Sequence, residues 1–156
     1  MEHFNKNTII LIVSFALVSG QFQSGAYAAS PINPKAACRI EIDNAHISAS
    51  LLKNRQLRFI KINARSICNV PQSQVTLSVE IHKTTTFGDR LVRTFTSKPS
   101  AIKQQSIEIK DAAILCTNNK KTRWYGIAYS KALIYDKWHY AGRTFSKLFI
   151  SLECGT

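Results

Sequence analysis

The sequence predicts an all-β domain, an antiparallel β-sandwich of immunoglobulin-like type stapled by two disulfides. Three observations predict it. Short tracts of alternating apolar and polar residues recur at spacings of about ten residues. No 3.6-residue pattern is sustained after the N-terminal segment. The cysteines number four, an even count, and are widely spaced.

The first 28 residues are set apart from that domain. Lys6 precedes an apolar run from Ile9 to Val18, and Ala26-Tyr27-Ala28 offers small residues at alternate positions, the order of a secretory signal peptide cleaved after Ala28. The run falls well short of the ~20 residues that a membrane-spanning helix needs, and no later stretch comes close, so an integral membrane protein is not expected. No cysteine stands at the cleavage site to accept a lipid. Residues 29–37, with Pro31 and Pro34, read as a flexible leader, and residues 38–156 as a single secreted, extracellular domain.

Cys38 to Asp43 alternates Cys38, Ile40 and Ile42 with Arg39, Glu41 and Asp43, the two-residue period of a half-buried strand. Arg58 to Asn69 puts Ile60, Ile62, Ala64, Ser66 and Cys68 in one phase and is predicted to end at Asn69-Val-Pro71. Arg58 shares the parity of the inward residues, so a bulge or a strand start just after it is expected. Val75, Leu77, Val79 and Ile81 form the cleanest alternation in the chain. A turn at Gly88-Asp89 leads into Arg90 to Thr96, predicting a hairpin. Ser97 to Ser100 breaks the pattern, Ser106 to Lys110 and Ile114 to Cys116 resume it, and the tract Ile102 to Leu115 has room for one helical turn.

Thr117 to Thr122 reads as a polar loop. The following run, Arg123 to Tyr135, has Tyr125, Ile127, Tyr129, Leu133 and Tyr135 in one phase and Gly126, Ala128, Ser130 and Ala132 in the other, a small-residue face that lets another layer approach closely. Asp136-Lys137 is a tight-turn candidate before Trp138-His-Tyr140, and Phe145 to Cys154 closes the domain with Leu148, Ile150, Leu152 and Cys154 in one phase.

Register favours particular disulfides. If the first two strands pair antiparallel, Cys38 at the start of one meets Cys68 at the end of the other, and elimination leaves Cys116 with Cys154. Two other pairings satisfy the same count. A zinc site would call for a close cysteine pair, which this chain lacks, and a catalytic thiol for an odd cysteine, so neither metal nor cofactor is expected.

The formal net charge is +12, from 21 Lys and Arg against 9 Asp and Glu, and removing residues 1–28 takes away one of each sign. Such a charge favours an anionic polymer or surface, nucleic acid or an acidic protein as partner. It is concentrated in two acid-poor tracts. One, Asn44 to Val79, places Lys61 and Arg65 on one outer face; the other, Ala112 to Leu152, contains Asp136 as its sole acid. Within the second, bases and aromatics interleave at Lys120, Lys121, Arg123 and Trp124, and again at Lys137, Trp138, His139 and Tyr140, a texture suited to stacking on sugars or bases beside phosphate contacts. Aromatics alternating in a strand are more often core than platform, and lysines in a loop are more often merely solvated.

A basic secreted domain with His46, His82 and His139 raises a ribonuclease-type hydrolase, but no histidine lies in a catalytic motif, and neither G-x-S-x-G, H-E-x-x-H nor a phosphate-binding glycine loop occurs. The expectation is therefore a non-enzymatic binding module. A secreted antagonist, either a bacteriocin-like toxin or an enzyme inhibitor, is the alternative, with contacts made by loops of the sandwich.

Asn63-Ala-Arg-Ser-Ile-Cys68 with Pro71, Val75-Thr-Leu77, Thr122-Arg-Trp-Tyr-Gly-Ile-Ala128 and the final Cys154-Gly-Thr156 resemble a family of small secreted actinobacterial proteins with no established function. The likeness covers Cys38 to Thr156. It rests on cysteines and strand residues, and so implies export and disulfides but no catalytic residue.

Overall fold

A computed structural model of the chain describes residues 38–100, 102–146 and 149–156. The signal peptide and leader expected over residues 1–37, and the positions of Lys147 and Leu148, lie outside the described residues. Strands dominate, in the order β1 (Cys38–Ile42), β2 (His46–Ile47), β3 (Phe59–Lys61), β4 (Ala64–Thr85), β5 (Gly88–Thr96), β6 (Gln104–Ile109), β7 (Ala113–Leu115), β8 (Asn118–Ile134), β9 (Lys137–Phe145) and β10 (Ile150–Gly155), with one short helix, α1 (Ala49–Arg55), between β2 and β3.

Every strand pairing is antiparallel, and two long strands organise them. The first half of β4 pairs with β1 on one side and β6 on the other. Its second half pairs with β5 and with β8, whose own two halves pair with β10 and β9. These seven strands form one sheet, and a small second sheet, β2-β3-β7, completes the fold. The all-β, antiparallel and doubly disulfide-bonded character is as expected. An immunoglobulin-like sandwich is not confirmed, since a 22-residue and a 17-residue strand carry the topology in place of short strands at spacings of about ten residues.

Continuity of β4 corrects the strand end expected at Pro71. The ladder to β6 shifts register between Ile67 and Gln72, and that to β8 between Ser73 and Thr76. Pro71, which has no N–H to donate, falls in the first gap, and Gln74, with φ of 49°, in the second. The chain bends there and changes partners instead of stopping. The bend turns the first half of β4 over the inner face of β8, where the Ser66 and Ser130 hydroxyls meet at 3.2 Å.

The small-residue phase of β8 makes this approach close. A Cβ on Gly126 would stand 2.9 Å from the Cδ1 atoms of Ile42 and Ile62. Ile60, Ile62, Leu77, Val79 and Ile81 are wholly buried in this layer with Trp124, each aliphatic side chain contributing on the order of 1.5–3 kcal/mol. Both expected disulfides form, Cys38–Cys68 between directly paired residues of β1 and β4, as register favours, and Cys116–Cys154, as elimination leaves.

Other expectations need adjustment. The first hairpin turns at Thr86-Phe87 and the β8–β9 hairpin at Tyr135-Asp136, both slightly earlier than expected; Tyr135 and Asp136 have φ of 48° and 58°, the left-handed pair of a two-residue hairpin turn. The strand after Arg58 starts at Phe59, as its parity required. Strands β6 and β7 occupy the tract in which a helical turn had room. The segment Phe145 to Cys154 is divided between β9 and β10. Helix α1, capped by Ser48 and ended by left-handed Gln56, buries none of its residues, which is why no amphipathic period announces it.

Candidate polyanion-binding site

The polar tract expected as a loop at Thr117 to Thr122 is largely strand. Asn118 onward opens β8 and pairs with β10, Lys121 opposite Glu153 and Arg123 opposite Ser151. Apolar alternation is missing because this end of the sheet is exposed, and the partner strand supplies the order that the local sequence does not. Asn118 Oδ1 accepts from the Lys120 N–H at 2.9 Å, and a Cβ on Gly155 would fall 2.0 Å from that oxygen, so the close approach of β10 requires glycine. The adjoining Cys116–Cys154 bond and the hydrogen bonds from the Thr117 N–H and Oγ1 to Gly155 O fix β10 against the start of β8.

Between the ends of β4, β8 and β10 lies a groove of about 550 Å³. Lys83, Lys120, Lys121 and Arg123 supply its charge, hydroxyls of Thr84, Thr122 and Ser151 add polar groups, and no Asp or Glu side chain belongs to the lining. Two acids stand close by and are partnered: Glu153 with Arg58 at 3.5 Å, and Asp89, which lines an adjoining pocket with Thr84, Arg123 and Ser151, with the Thr84 and Tyr125 hydroxyls at 2.8 and 3.1 Å. Lys83 donates to Thr156 O and Oγ1 at 2.5 and 2.9 Å. Charge density along the chain does not single out Lys83. The signal for it is that the buried phase Val75, Leu77, Val79, Ile81 ends in a lysine, whose stem follows apolar surface while its ammonium reaches the sheet end.

Trp124 belongs to the core and not to the binding surface. It is 0% exposed, and its Nε1–H donates to Cys154 O at 3.1 Å. Alternation puts it in the inward phase of β8, between Tyr125 and exposed Arg123, which project to the opposite face of the sheet.

Lys61 and Arg65 do share a location, but it is not a free basic patch. They line a pocket of about 360 Å³ together with Glu41, Asp43 and Glu108. Arg65 pairs with Glu41, and hydrogen bonds from Arg39 and Arg65 hold that carboxyl below its ordinary range. The acids come from β1 and β6, neighbours across the ladder, so the acid-poor stretch of chain is not an acid-poor surface.

The second basic-aromatic cluster lies on β9, toward the opposite end of β8. Lys137 is exposed; Trp138 and Tyr140 pair with Leu133 and Lys131 and share their outer face. His139 pairs with Ala132 on the other face and borders a small pocket beside Cys38. The Lys131 ammonium sits over the Trp138 ring at 5.4 Å from its centroid.

Along this outer face the ladder aligns Thr84 with Arg123, His82 with Tyr125, Glu80 with Ile127 and Ser78 with Tyr129. Arg143 donates to both oxygens of Glu80 at 3.0 and 2.8 Å and lies over the Tyr129 ring. Burial pushes the Glu80 carboxyl up, but hydrogen bonds and charge from His82 and Arg143 outweigh it and leave the group below its ordinary value. Burial, reinforced by Asp89, raises the Tyr125 hydroxyl. His82 stacks on Tyr125, whose edge meets Phe149.

His46, His82 and His139 stand on three different strands, β2, β4 and β9. His82 meets a carboxylate, Glu80, at 3.0 Å, but that carboxylate is already held by Arg143. Among the described residues, no group of three or more His, Cys, Asp or Glu side chains could hold a metal, and no helix is long and apolar enough to cross a membrane. No family model, curated protein or solved structure matches this chain.

Proposed function

We propose that this protein is an exported, non-enzymatic binding module that engages an anionic polymer through the groove between β4, β8 and β10. The observation that carries the reading is the convergence of Lys83, Lys120, Lys121 and Arg123 on one groove whose lining has no Asp or Glu side chain. Concentrated charge of one sign attracts polyanions and releases their counterions on contact. The two disulfides and the basic composition accord with an oxidising, extracellular setting.

Retention of the disulfide-bonded protein on an immobilised polyanion, measured across a salt series, tests this. Affinity should fall steeply with salt, and Lys120→Glu with Lys121→Glu should abolish most of it while Lys61→Glu has little effect. Salt-insensitive binding, or equal loss from Lys61→Glu, would place the interaction elsewhere.

A further inference from the structure

We propose that the outer face of the β5-β4-β8-β9 sheet is a stacking platform for single-stranded nucleic acid, continuing from the groove at Arg123; this rests on the polyanion reading and specifies its ligand. Four large rings on or beside this face are substantially uncovered: Trp138 at 45%, Tyr140 at 68%, Phe145 at 56% and Phe149 at 59% exposed. Large apolar side chains exposed in a row mark an interaction surface more often than scattered ones do.

Cations run between the rings. Phe145 pairs with Ile127 and Tyr140 with Lys131, Arg143 covers Tyr129, and Arg123 joins the face to the groove. From Arg123 to Leu133, the partner of Trp138, is ten steps along β8, an extended path of about 33 Å; Tyr125 and Ile127 are buried in its middle, so the accessible surface there is made by the side chains over them, Phe145 and Phe149. The two carboxylates on this face, Glu80 and Asp89, are occupied by Arg143 and His82, and by Thr84 and Tyr125. A polymer with only anionic groups would be served by the groove alone. Rings without hydroxyls, as at Phe145 and Phe149, offer a ligand only their faces and edges, which suits the flat faces of nucleobases, with phosphates meeting Arg123 and Lys131.

The test compares an oligothymidylate of about twelve nucleotides, a length within the range of single-strand sites, with linear inorganic polyphosphate. Because Trp124 is 0% exposed and Trp138 45% exposed, quenching of tryptophan fluorescence reads Trp138. Oligothymidylate should quench that emission and bind about tenfold or more tightly than polyphosphate. Phe145→Ala and Tyr140→Ala should each weaken oligothymidylate about fivefold or more and leave polyphosphate unchanged. Tyr140→Phe should retain binding, which separates a lost ring from a disturbed fold. Equal affinity for the two probes with ring substitutions silent would overturn the platform and leave the polyanion reading standing; binding of neither would remove both. Tighter binding of a sulfated glycan, or self-association abolished by the same ring substitutions, would assign the face to a glycan or to a second copy and overturn the proposal.

Discussion

Replacing Cys116 and Cys154 together with alanine should cost both stability and groove affinity. The bond closes a loop with a sequence separation of 38 residues. With the chain-entropy relation, a loop of that length corresponds to about 3.9 kcal/mol of loop-closure entropy withheld from the unfolded chain. Unfolding entropy near 2.1 cal/mol/K per residue over roughly 120 residues gives ~0.25 kcal/mol/K, so the melting temperature should fall by about 15 °C. The Cys38–Cys68 pair, separated by 30 residues, yields a similar figure of about 3.6 kcal/mol. The two double variants should therefore melt alike yet differ in binding. Cys154 adjoins Gly155 and Thr156 in the groove wall, whereas Cys38 joins β1 to the first half of β4, away from it. Calorimetry with polyanion titration of both variants in the folded range provides the assay. A loss under about 5 °C, or equal binding in the two variants, would refute the assignment of the second bond as the clamp of the groove.

Two further outcomes test the packing and the charge network. Gly126→Ala sets a methyl 2.9 Å from Ile42 and Ile62, an overpacking worth about 1–3 kcal/mol and a fall of about 4–12 °C in melting temperature; an unchanged melting curve would mean that Ile42 and Ile62 do not press on β8 as described. Because the Glu80 carboxyl is held below its ordinary value of 4.5 in the folded protein, its contribution is complete above that pH and fades as pH falls through the lower folded value. The stability gap between the wild type and Glu80→Gln should thus be largest near neutrality and close below about pH 4.5; a gap independent of pH would show that Glu80 is not charged in the fold.

Legibility of the chain followed the strength of one-strand signals. The alternation over Val75 to Ile81, the small-residue phase of β8 and the facing of Cys38 with Cys68 all depend on period two and antiparallel register, and all are present in the structure. What depends on a neighbouring strand was hidden. The acids that neutralise Arg65 come from β1 and β6, and the order of Asn118 to Thr122 comes from β10. Pro71 looked like an end because its effect on one ladder can be read from sequence, while the change of partners that makes it tolerable cannot. Of the candidate site, Lys120, Lys121 and Arg123 were found from charge density; Lys83 was missed because a lysine in the buried phase of a strand is ordinarily an interruption.

The salt dependence of polyanion binding tests the central claim most directly. With four cations in the groove, log K should fall against log salt with a slope of about −3, between the values for single strands and duplex. Lys120→Glu with Lys121→Glu should flatten that slope by at least about 1.4, the share of two contacts. A slope near zero in the wild type, or an unchanged slope in the variant, would contradict the assignment of this groove as the polyanion site.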